Sequence, residues 1–154
     1  NPYTFSKDIG EQLCEMYHRI YGVETRICRF YNVYGDSQLI EGEYAAVVGI
    51  FLDQYKNNKP LTITGDGEQR RDFTHVDDIV DGMFLSLNKD FGTYELGSGV
   101  NYSINELANM FGEDYPKEYI DERVGEARET LCKKPDLLLI KNNLEDYIKG
   151  EISE

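Results

Sequence analysis

Residues 65–78, with the sequence Gly65-Asp-Gly-Glu-Gln-Arg-Arg-Asp-Phe-Thr-His-Val-Asp-Asp78, combine a glycine turn, an arginine pair and the start of an apolar periodic segment. The glycines permit backbone conformations that other residues avoid, and the run from Phe73 to Val76 has the character of a short strand. Arg71 supplies a permanent charge, and Asp77 or Asp78 can accept from the free N–H groups of the next helix. The stretch therefore predicts a turn, a strand and a capped helix that together form an anion site.

The chain on either side of this stretch alternates helical and strand patterns. Apolar residues at helical spacing predict helices over residues 3–21, 44–55, 76–87 and 136–147, and Ser103 with Glu106 forms a capping box that begins another. Short runs over residues 23–31, 61–64, 93–96 and 118–120 predict strands. Strands that alternate with helices indicate an α/β fold with a parallel sheet. The first helix has an apolar stripe that is expected to face the core, and Tyr3 and Lys7 flank this stripe. The stripe consists of Ile9, Leu13, Met16, Tyr17 and Ile20.

The composition favours a single acidic domain. The chain has 154 residues and a net charge of −13, from 29 Asp and Glu against 16 Lys and Arg. A field of that sign repels nucleic acid and anionic membrane surfaces, so neither is expected as a partner. An anionic ligand must therefore be held by locally placed arginines.

The cysteines indicate a reducing compartment. Cys14, Cys28 and Cys132 are odd in number and widely spaced, with no CxxC, so neither a disulfide framework nor a metal site is expected. The sequence shows no leader, and no apolar run approaches the roughly 18 residues needed to span a bilayer. We expect a soluble, cytoplasmic protein.

Tyr3 and Lys7 have the YxxxK spacing, which places them one helical turn apart. A phenol with an ordinary pKa of about 10 is a poor base at neutral pH, but a lysine ammonium on the same face favours the phenolate. Such a pair could take a proton from a sugar hydroxyl. Taken alone, the spacing more often marks two surface residues of a helix.

Four more motifs follow Tyr3 and Lys7 in a characteristic order. With these motifs the chain resembles the extended short-chain dehydrogenase/reductases, specifically the NAD-dependent nucleotide-sugar epimerases and dehydratases, over nearly the whole length to about residue 130. The motifs are Arg29-Phe-Tyr-Asn-Val-Tyr-Gly35, residues 65–78, Gly97-Ser-Gly99 and Arg123-Val-Gly-Glu126.

The resemblance implies a C-terminal part of the NAD(P)-binding extended short-chain fold, a partial Rossmann-like unit with a small substrate-binding α/β subdomain. Residues 1–154 would form one fragment domain. Residues 1–35 would hold the catalytic helix and the following sheet strand, and residues 36–154 would be mostly the nucleotide-sugar-binding portion.

The resemblance also implies a role for residues around the cofactor. Tyr3 would be the acid/base at the sugar hydroxyl, and Lys7 would hold the nicotinamide ribose and favour the phenolate. The backbone from Tyr31 to Val33 would run beside the nicotinamide of NAD.

A second set of residues would bind the nucleotide-diphosphate sugar. Asn32 would lie by the diphosphate, which Arg71 and Arg123 would clamp through their planar guanidinium groups. Glu126 would accept from the nucleotide ribose, where the family more often has aspartate. Thr130 falls where related 4-epimerases carry a residue whose size admits or excludes an N-acetyl group, and because threonine is small we expect N-acetylhexosamines to be tolerated.

Structural roles compete with functional ones at three positions. Asn32 could simply cap the turn after its strand. Arg70 is expected to be a solvated neighbour, since side chains alternate along a strand and Arg71 fits the motif better. His75 is expected to be structural.

The glycine-rich turn of a dinucleotide-binding fold is absent from this sequence, since Gly97-x-Gly99 lacks the rest of that pattern. We therefore expect the C-terminal half of an enzyme that, as this chain alone, neither binds NAD tightly nor turns over substrate. The favoured parent reaction is C4 epimerisation of a UDP-hexose. The alternatives are a nucleotide-sugar 4,6-dehydratase and a non-catalytic fragment that binds a nucleotide sugar or oligomerises. An apolar strand edge left exposed favours a homo-oligomer, expected to be a dimer.

Overall fold

The computed structural model describes residues 2–42, 45–122, 125–137 and 140–153, and helices alternate with short strands along it. Most of these elements lie where the sequence predicts them. Their bounds are α1 Pro2–Tyr21, β1 Arg26–Phe30, β2 Asn32–Tyr34, α2 Val47–Lys56, β3 Leu61–Thr64, β4 Arg70–His75, α3 Val76–Ser86, β5 Gly92–Leu96, β6 Asn101–Ser103, α4 Ile104–Asn109, β7 Lys117–Ile120 and α5 Leu144–Ser153.

The described strands form small sheets that are mainly parallel. β1 pairs with β5, β2 with β4 and β3 with β7, each in parallel. β6 pairs with the other edge of β4 in the antiparallel sense, and this three-residue strand was not predicted because it is too short to show a pattern. Parallel strands joined through helices confirm the predicted α/β fold class.

The core is built from α2, α4, α5 and the strands they cover. Burial alternates along β3: Leu61 and Ile63 are fully buried, whereas Thr62 and Thr64 are only partly buried. Successive side chains of a strand point to opposite faces, so β3 anchors one face in the core and leaves the other polar. The buried apolar residues of this core are Tyr34, Val48, Phe51, Leu52, Leu61, Ile63, Phe73, Ile104, Leu107, Ala108, Phe111, Leu144 and Ile148.

The apolar stripe of α1 does not lie in this core, contrary to our expectation. No residue of α1 is buried, and Ile9, Leu13 and Ile20 keep 40%, 48% and 57% of their surface. The periodicity predicted the helix correctly, but a periodic stripe does not identify what covers it. Within the described residues, no helix is long and apolar enough to cross a membrane.

The turn before β4 needs glycine for two reasons. Gly67 has a φ of 74°, in the left-handed region, and a Cβ atom there would lie 2.2 Å from Asn105 Oδ1. The turn packs this closely because the Asn105 backbone N–H donates to Gly67 O at 3.0 Å and its side chain donates to Asp66 O at 3.0 Å. The turn is thereby fixed to the start of α4.

Asp72, the third residue of β4, is a buried carboxylate that joins three parts of the chain. Its Oδ1 accepts from Ser98 N at 2.9 Å and from Ser98 Oγ at 2.6 Å. Its Oδ2 accepts from Gly99 N and Cys132 N, both at 3.0 Å. Its Oδ1 also accepts from Thr74 Oγ1 at 3.4 Å. Because the carboxylate has no exposed surface, only protein donors satisfy it, and it fixes residues 98–99 and Cys132 against β4.

The start of α3 differs in detail from our prediction. His75 caps the helix, since its Nδ1 accepts from Asp77 N at 3.2 Å, and its ring packs edge-on against Tyr34 and Tyr147. These contacts agree with the structural role predicted for His75. Asp78 does not cap α3, because its buried carboxylate accepts instead from the backbone of Lys141 and Asn142.

Two predicted helices begin later than expected. The helix predicted over residues 44–55 begins at Val47, and Tyr44 lies outside the described residues. Of the helix predicted over residues 136–147, only the part from Leu144 is helical, because α5 begins there; the prediction was wrong at residues 136–137 and 140–143, and residues 138–139 lie outside the described residues. Asp136 instead exchanges hydrogen bonds with Glu95 at the end of β5, and Asn143 Oδ1 caps α5 by accepting from Glu145 N at 2.8 Å. These are long-range and capping bonds that override helical periodicity.

We predict that Asp72→Asn lowers the free energy of unfolding by about 3 kcal/mol, because an amide turns a donor towards N–H groups that need an acceptor and removes charge-assisted hydrogen bonds. Urea denaturation followed by circular dichroism measures the change. Asp114→Asn, at an exposed turn residue, is the matched control and should stay within about 0.5 kcal/mol. Equal unfolding midpoints for the two variants would contradict this role of Asp72.

Candidate functional site

A pocket of about 230 Å³ lies where β2, β3 and β4 meet the start of α2. Gln69, Arg71 and Phe73 alternate along β4 and its approach so that all three face this pocket. Apolar and polar side chains share the lining, as is typical of a site for an organic ligand with charged groups. The remaining lining residues are Asn32, Val33, Ala45, Ala46, Val47, Ile50, Thr62, Thr64, Ile104, Ile120 and Glu126.

Arg71 is the cation of this pocket. It retains 8% of its surface, and its Nη2 donates to Glu126 Oε1 at 2.7 Å while its Nη1 donates to the carbonyl of Arg70 at 2.8 Å. The Glu126 side chain is 32% exposed, so it can leave the guanidinium without unfolding the core. The arrangement is a nearly buried arginine whose anionic partner can be exchanged.

Arg70 faces away from the pocket. Its guanidinium donates to Asn101 Oδ1 at 2.9 Å and to Glu106 Oε2 at 2.8 Å. Those bonds tie β4 to β6 and to the capping box of α4. The predicted alternation of the two arginines is therefore confirmed, and Arg70 is a bridged residue rather than a freely solvated one.

Asn32 and Thr130 are joined beside the same pocket. Asn32 Nδ2 donates to Thr130 Oγ1 at 3.1 Å and to the carbonyl of Asp72 at 3.2 Å. The backbone of Thr130 pairs with β4, because its N–H donates to Arg70 O at 3.0 Å and its carbonyl accepts from Asp72 N at 3.1 Å. Asn32 was expected either to cap its turn or to face a ligand. It lines the pocket, and its side chain is held by the Asp72 carbonyl of β4 and by Thr130, whose backbone pairs with β4.

A separate groove of about 840 Å³ holds Tyr3, Lys7, Tyr31 and Val33. Lys7 Nζ lies 5.2 Å from the centroid of the Tyr3 ring, which confirms that the two side chains share one face of α1. Val33 lines both the groove and the pocket. The residues expected near a nicotinamide thus line the groove, whereas Asn32, Arg71 and Glu126, expected near a nucleotide sugar, line the pocket.

Tyr31 and Glu95 meet at the carboxyl ends of β1 and β5. Tyr31 Oη donates to Glu95 Oε2 at 3.3 Å, and Arg29 lies 3.9 Å from the other carboxylate oxygen. Burial, followed by the nearby Glu95 carboxylate, raises the pKa of Tyr31 to about 12. Tyr31 is therefore a neutral hydrogen-bond donor at neutral pH.

Sequence patterns did not identify every residue of the site. Arg123, predicted to bind a diphosphate, lies outside the described residues. Glu95, Gln69, Thr62 and Thr64 were not predicted, although Glu95 falls at the carboxyl end of a parallel strand, where ligand sites of α/β folds collect. Within the described residues, no cluster of three or more His, Cys, Asp or Glu side chains is arranged to hold a metal ion.

Residues 1–97 match the family model described as the NAD dependent epimerase/dehydratase family. A protein of Methanocaldococcus jannaschii that is provisionally named a UDP-glucose 4-epimerase is 36% identical over 88% of this chain and 41% of its own length. UDP-glucuronic acid decarboxylase 1 of Arabidopsis thaliana is 33% identical over 92% of this chain and 33% of its own length.

Solved structures of the same family are similar throughout the chain. The crystal structure of UDP-glucose 4-epimerase from Thermotoga maritima with UDP-glucose superposes with a TM-score of 0.89 at 30% identity, over 99% of this chain and 52% of that chain. UDP-glucuronic acid 4-epimerase from Bacillus cereus, solved with UDP-glucuronic acid and NAD, gives a TM-score of 0.84 at 28% identity. The chain therefore spans about half the length of these solved relatives.

We predict that Glu95→Gln lowers the pKa of Tyr31 from about 12 towards the ordinary value of about 10, because the substitution removes the carboxylate charge. NMR titration of tyrosines labelled at the ring Cζ carbon measures the change, with Tyr31→Phe assigning the resonance. Since the folded state holds this proton more tightly than the unfolded state, the associated stability is present below about pH 10 and is lost as the pH rises from 10 to 12. A pKa unaffected by Glu95→Gln would contradict the assignment.

Proposed function

The chain belongs to the NAD dependent epimerase/dehydratase family, and we propose that it forms the substrate-binding part of an NAD-dependent UDP-hexose 4-epimerase. The observation that carries this proposal is the shared wall at Val33, which places the Arg71 pocket directly beside the groove that contains Tyr3 and Lys7. A ligand with an anionic part and a reacting part can occupy both recesses at once.

The pocket suits the nucleotide diphosphate. Arg71 can make paired hydrogen bonds to phosphate oxygens, and Thr62 and Thr64 offer further polar contacts in the pocket. Before a diphosphate binds, Glu126 must release the guanidinium that it holds at 2.7 Å. We propose that Glu126 then accepts from the ribose, and that the methylene by which it exceeds aspartate allows it to alternate between these partners. Arg123 is proposed as the second diphosphate clamp.

The groove suits the reacting hexose and the nicotinamide end of NAD. Lys7 supplies donors for a ribose, and the groove has a volume of about 840 Å³. NAD would supply the hydride acceptor at this site. Tyr3 as phenolate would take the proton of the 4-hydroxyl group as C4 is oxidised, and would return it to the 4-oxygen once hydride has been restored to the opposite face of C4, while Lys7 favours the phenolate.

UDP-glucuronic acid decarboxylation is a second candidate function, favoured by the Arabidopsis relative that bears this name. Decarboxylation, 4,6-dehydration and epimerisation can share oxidation at C4, so the proposed roles of Tyr3 and Lys7 serve all three.

We propose that residues 36–154 form mostly the nucleotide-sugar-binding portion and that residues 1–35 hold the catalytic helix and strand. We also propose that the protein assembles as a homodimer. Thr130 is small, and we propose that the site tolerates an N-acetyl group.

Titration of UDP into the protein by calorimetry tests nucleotide binding. Arg71→Gln is expected to weaken UDP binding at least tenfold, because a charge-assisted contact to phosphate is lost. Arg70→Gln is the matched control, since Arg70 faces β6 and α4, and it should change the dissociation constant less than threefold once folding is verified. No saturable heat with the unsubstituted protein would overturn the proposed nucleotide site.

Pyrophosphate separates the diphosphate contact from the rest of the ligand. Glu126→Gln is expected to strengthen pyrophosphate binding about fivefold, because the competing carboxylate on Arg71 is removed. UDP should gain less than pyrophosphate, since the proposed ribose acceptor is weakened in the same variant. Unchanged affinity for pyrophosphate would show that Glu126 does not compete for Arg71.

We predict that a polypeptide of these 154 residues alone neither binds NAD tightly nor interconverts UDP-glucose and UDP-galactose, because the sequence contains no complete glycine-rich dinucleotide motif. NMR of the sugar anomeric protons measures turnover. When a glycine-rich dinucleotide-binding half is supplied and turnover appears, Tyr3→Phe should lower kcat at least a hundredfold while UDP affinity stays within twofold. Epimerisation by the 154-residue polypeptide alone would refute the first expectation.

A further inference from the structure

Glu11 lies one helical turn after Lys7 on α1. Tyr3, Lys7 and Glu11 follow one another at intervals of four residues, so they lie along one face of the helix, and all three line the groove. A carboxylate four residues from a lysine is within reach of its ammonium group. Glu11 is therefore placed where it could draw Lys7 away from Tyr3.

Arg29 occupies the carboxylate of Glu11. Its Nε donates to Glu11 Oε1 at 2.8 Å, and its Nη2 donates to Glu11 Oε2 at 2.5 Å. Through these hydrogen bonds the Arg29 guanidinium holds the pKa of Glu11 below its ordinary value, so Glu11 is charged at neutral pH. Most ion pairs at a protein surface contribute little, but a bidentate pair of arginine and carboxylate is an exception. Both oxygens of Glu11 are thus committed to Arg29.

Lys7 keeps its ammonium beside Tyr3. Its Nζ lies 5.2 Å from the centroid of the Tyr3 ring, and among the described residues it makes no ion pair. The second acid that lines the groove, Glu95, accepts from Tyr31 Oη at 3.3 Å and lies 3.9 Å from Arg29. The remaining titratable groups that line the groove are Cys14, Arg26 and Cys28. Glu11 is therefore the acid on the same helix face that Arg29 keeps from Lys7.

We propose that Arg29 is a positioning residue, which occupies the Glu11 carboxylate and so leaves the Lys7 ammonium to act on Tyr3. Arg29 begins the motif of residues 29–35, but the proposed function gives it no role. This inference rests on the proposed function and refines it, because it names the group that protects the pair of Tyr3 and Lys7. Without Arg29, a charged Glu11 competes for Lys7, and the phenolate of Tyr3 loses its stabilising charge.

The two partners of the ion pair have different roles in this proposal. If the pair only fixed α1 against β1, removal of either partner would have the same effect. If Arg29 shields Lys7, Arg29→Gln frees a competing carboxylate, whereas Glu11→Gln removes that carboxylate. The two substitutions therefore differ in their effect on Tyr3, and the double variant lacks the competitor as well as Arg29.

NMR titration of tyrosines labelled at the ring Cζ carbon tests the proposal in the 154-residue protein, with Tyr3→Phe assigning the resonance. Arg29→Gln is expected to raise the titration midpoint of Tyr3 by about 0.5 pH unit, because the freed carboxylate offsets the charge of Lys7. Glu11→Gln should leave this midpoint unchanged or lower, and the double variant should restore it. Arg19→Gln, which removes an exposed arginine of α1, is the matched control and should leave the midpoint unchanged.

The pH profile of kcat is a second readout, in the enzyme assembled with a glycine-rich dinucleotide-binding half. Because Tyr3 acts as the phenolate, Arg29→Gln is expected to move the low-pH limb of the profile to higher pH. It should lower kcat at neutral pH about threefold, with KM for UDP-glucose within twofold. Arg29→Lys keeps a cation beside Glu11 and should restore most of kcat.

An unchanged midpoint of Tyr3 in Arg29→Gln would overturn the proposal. An equal rise in Glu11→Gln would also overturn it, since that pattern indicates a purely mechanical ion pair, and so would a rise that persists in the double variant. If Arg29→Gln does not fold, a rise in Glu11→Gln alone, at a partly exposed helix position, refutes the proposal, and no rise there supports it. Failure of the unsubstituted protein to bind UDP would instead remove the proposed function and leave these titrations unaffected.

Discussion

The buried carboxylate of Asp72 is the constraint on which the site depends. An unpaired buried charge is too costly to tolerate, so the chain must bring Ser98, Gly99 and Cys132 to β4 before this residue can be accommodated. Residues 128–130 precede Cys132 and run along β4. The Asp72 side chain, which faces away from the pocket, therefore determines where Thr130 lies. Thr130 in turn accepts from the Asn32 amide and so orients it.

Close packing around this carboxylate explains one of the family glycines. A Cβ atom on Gly97 would lie 2.4 Å from Cys132 Cβ and 3.1 Å from Asp72 Oδ2, distances at which the neighbours would have to move. Gly97 is thus required by the approach of residue 132 to β4 rather than by a phosphate.

Local patterns predicted the elements that local physics determines. The capping box of Ser103 and Glu106, the bounds of β3 and the alternation of Arg70 and Arg71 all follow from spacing within a few residues. Asp78 shows why the remainder was missed, because its partners lie more than 60 residues away at Lys141 and Asn142. The spacing of apolar residues within one helix or strand does not predict a hydrogen bond to a residue so far away in the sequence. The same holds for Glu95, which has a role only because β1 and β5 bring it to Tyr31.

The ion pair between Arg71 and Glu126 suggests how a chain with a net negative charge could bind the proposed anionic ligand. At physiological salt, charges more than about 8 Å apart are largely screened, so the net charge of −13 would slow the approach of the proposed diphosphate more than it would oppose binding at the site. Within the pocket, Glu126 pairs with the nearly buried guanidinium, and the proposed diphosphate would have to replace it. A neutral ligand gains nothing from that exchange, because it would leave Arg71 buried without a counter-charge. The same ion pair would therefore favour ligands that carry their own negative charge, as the proposed nucleotide diphosphate does.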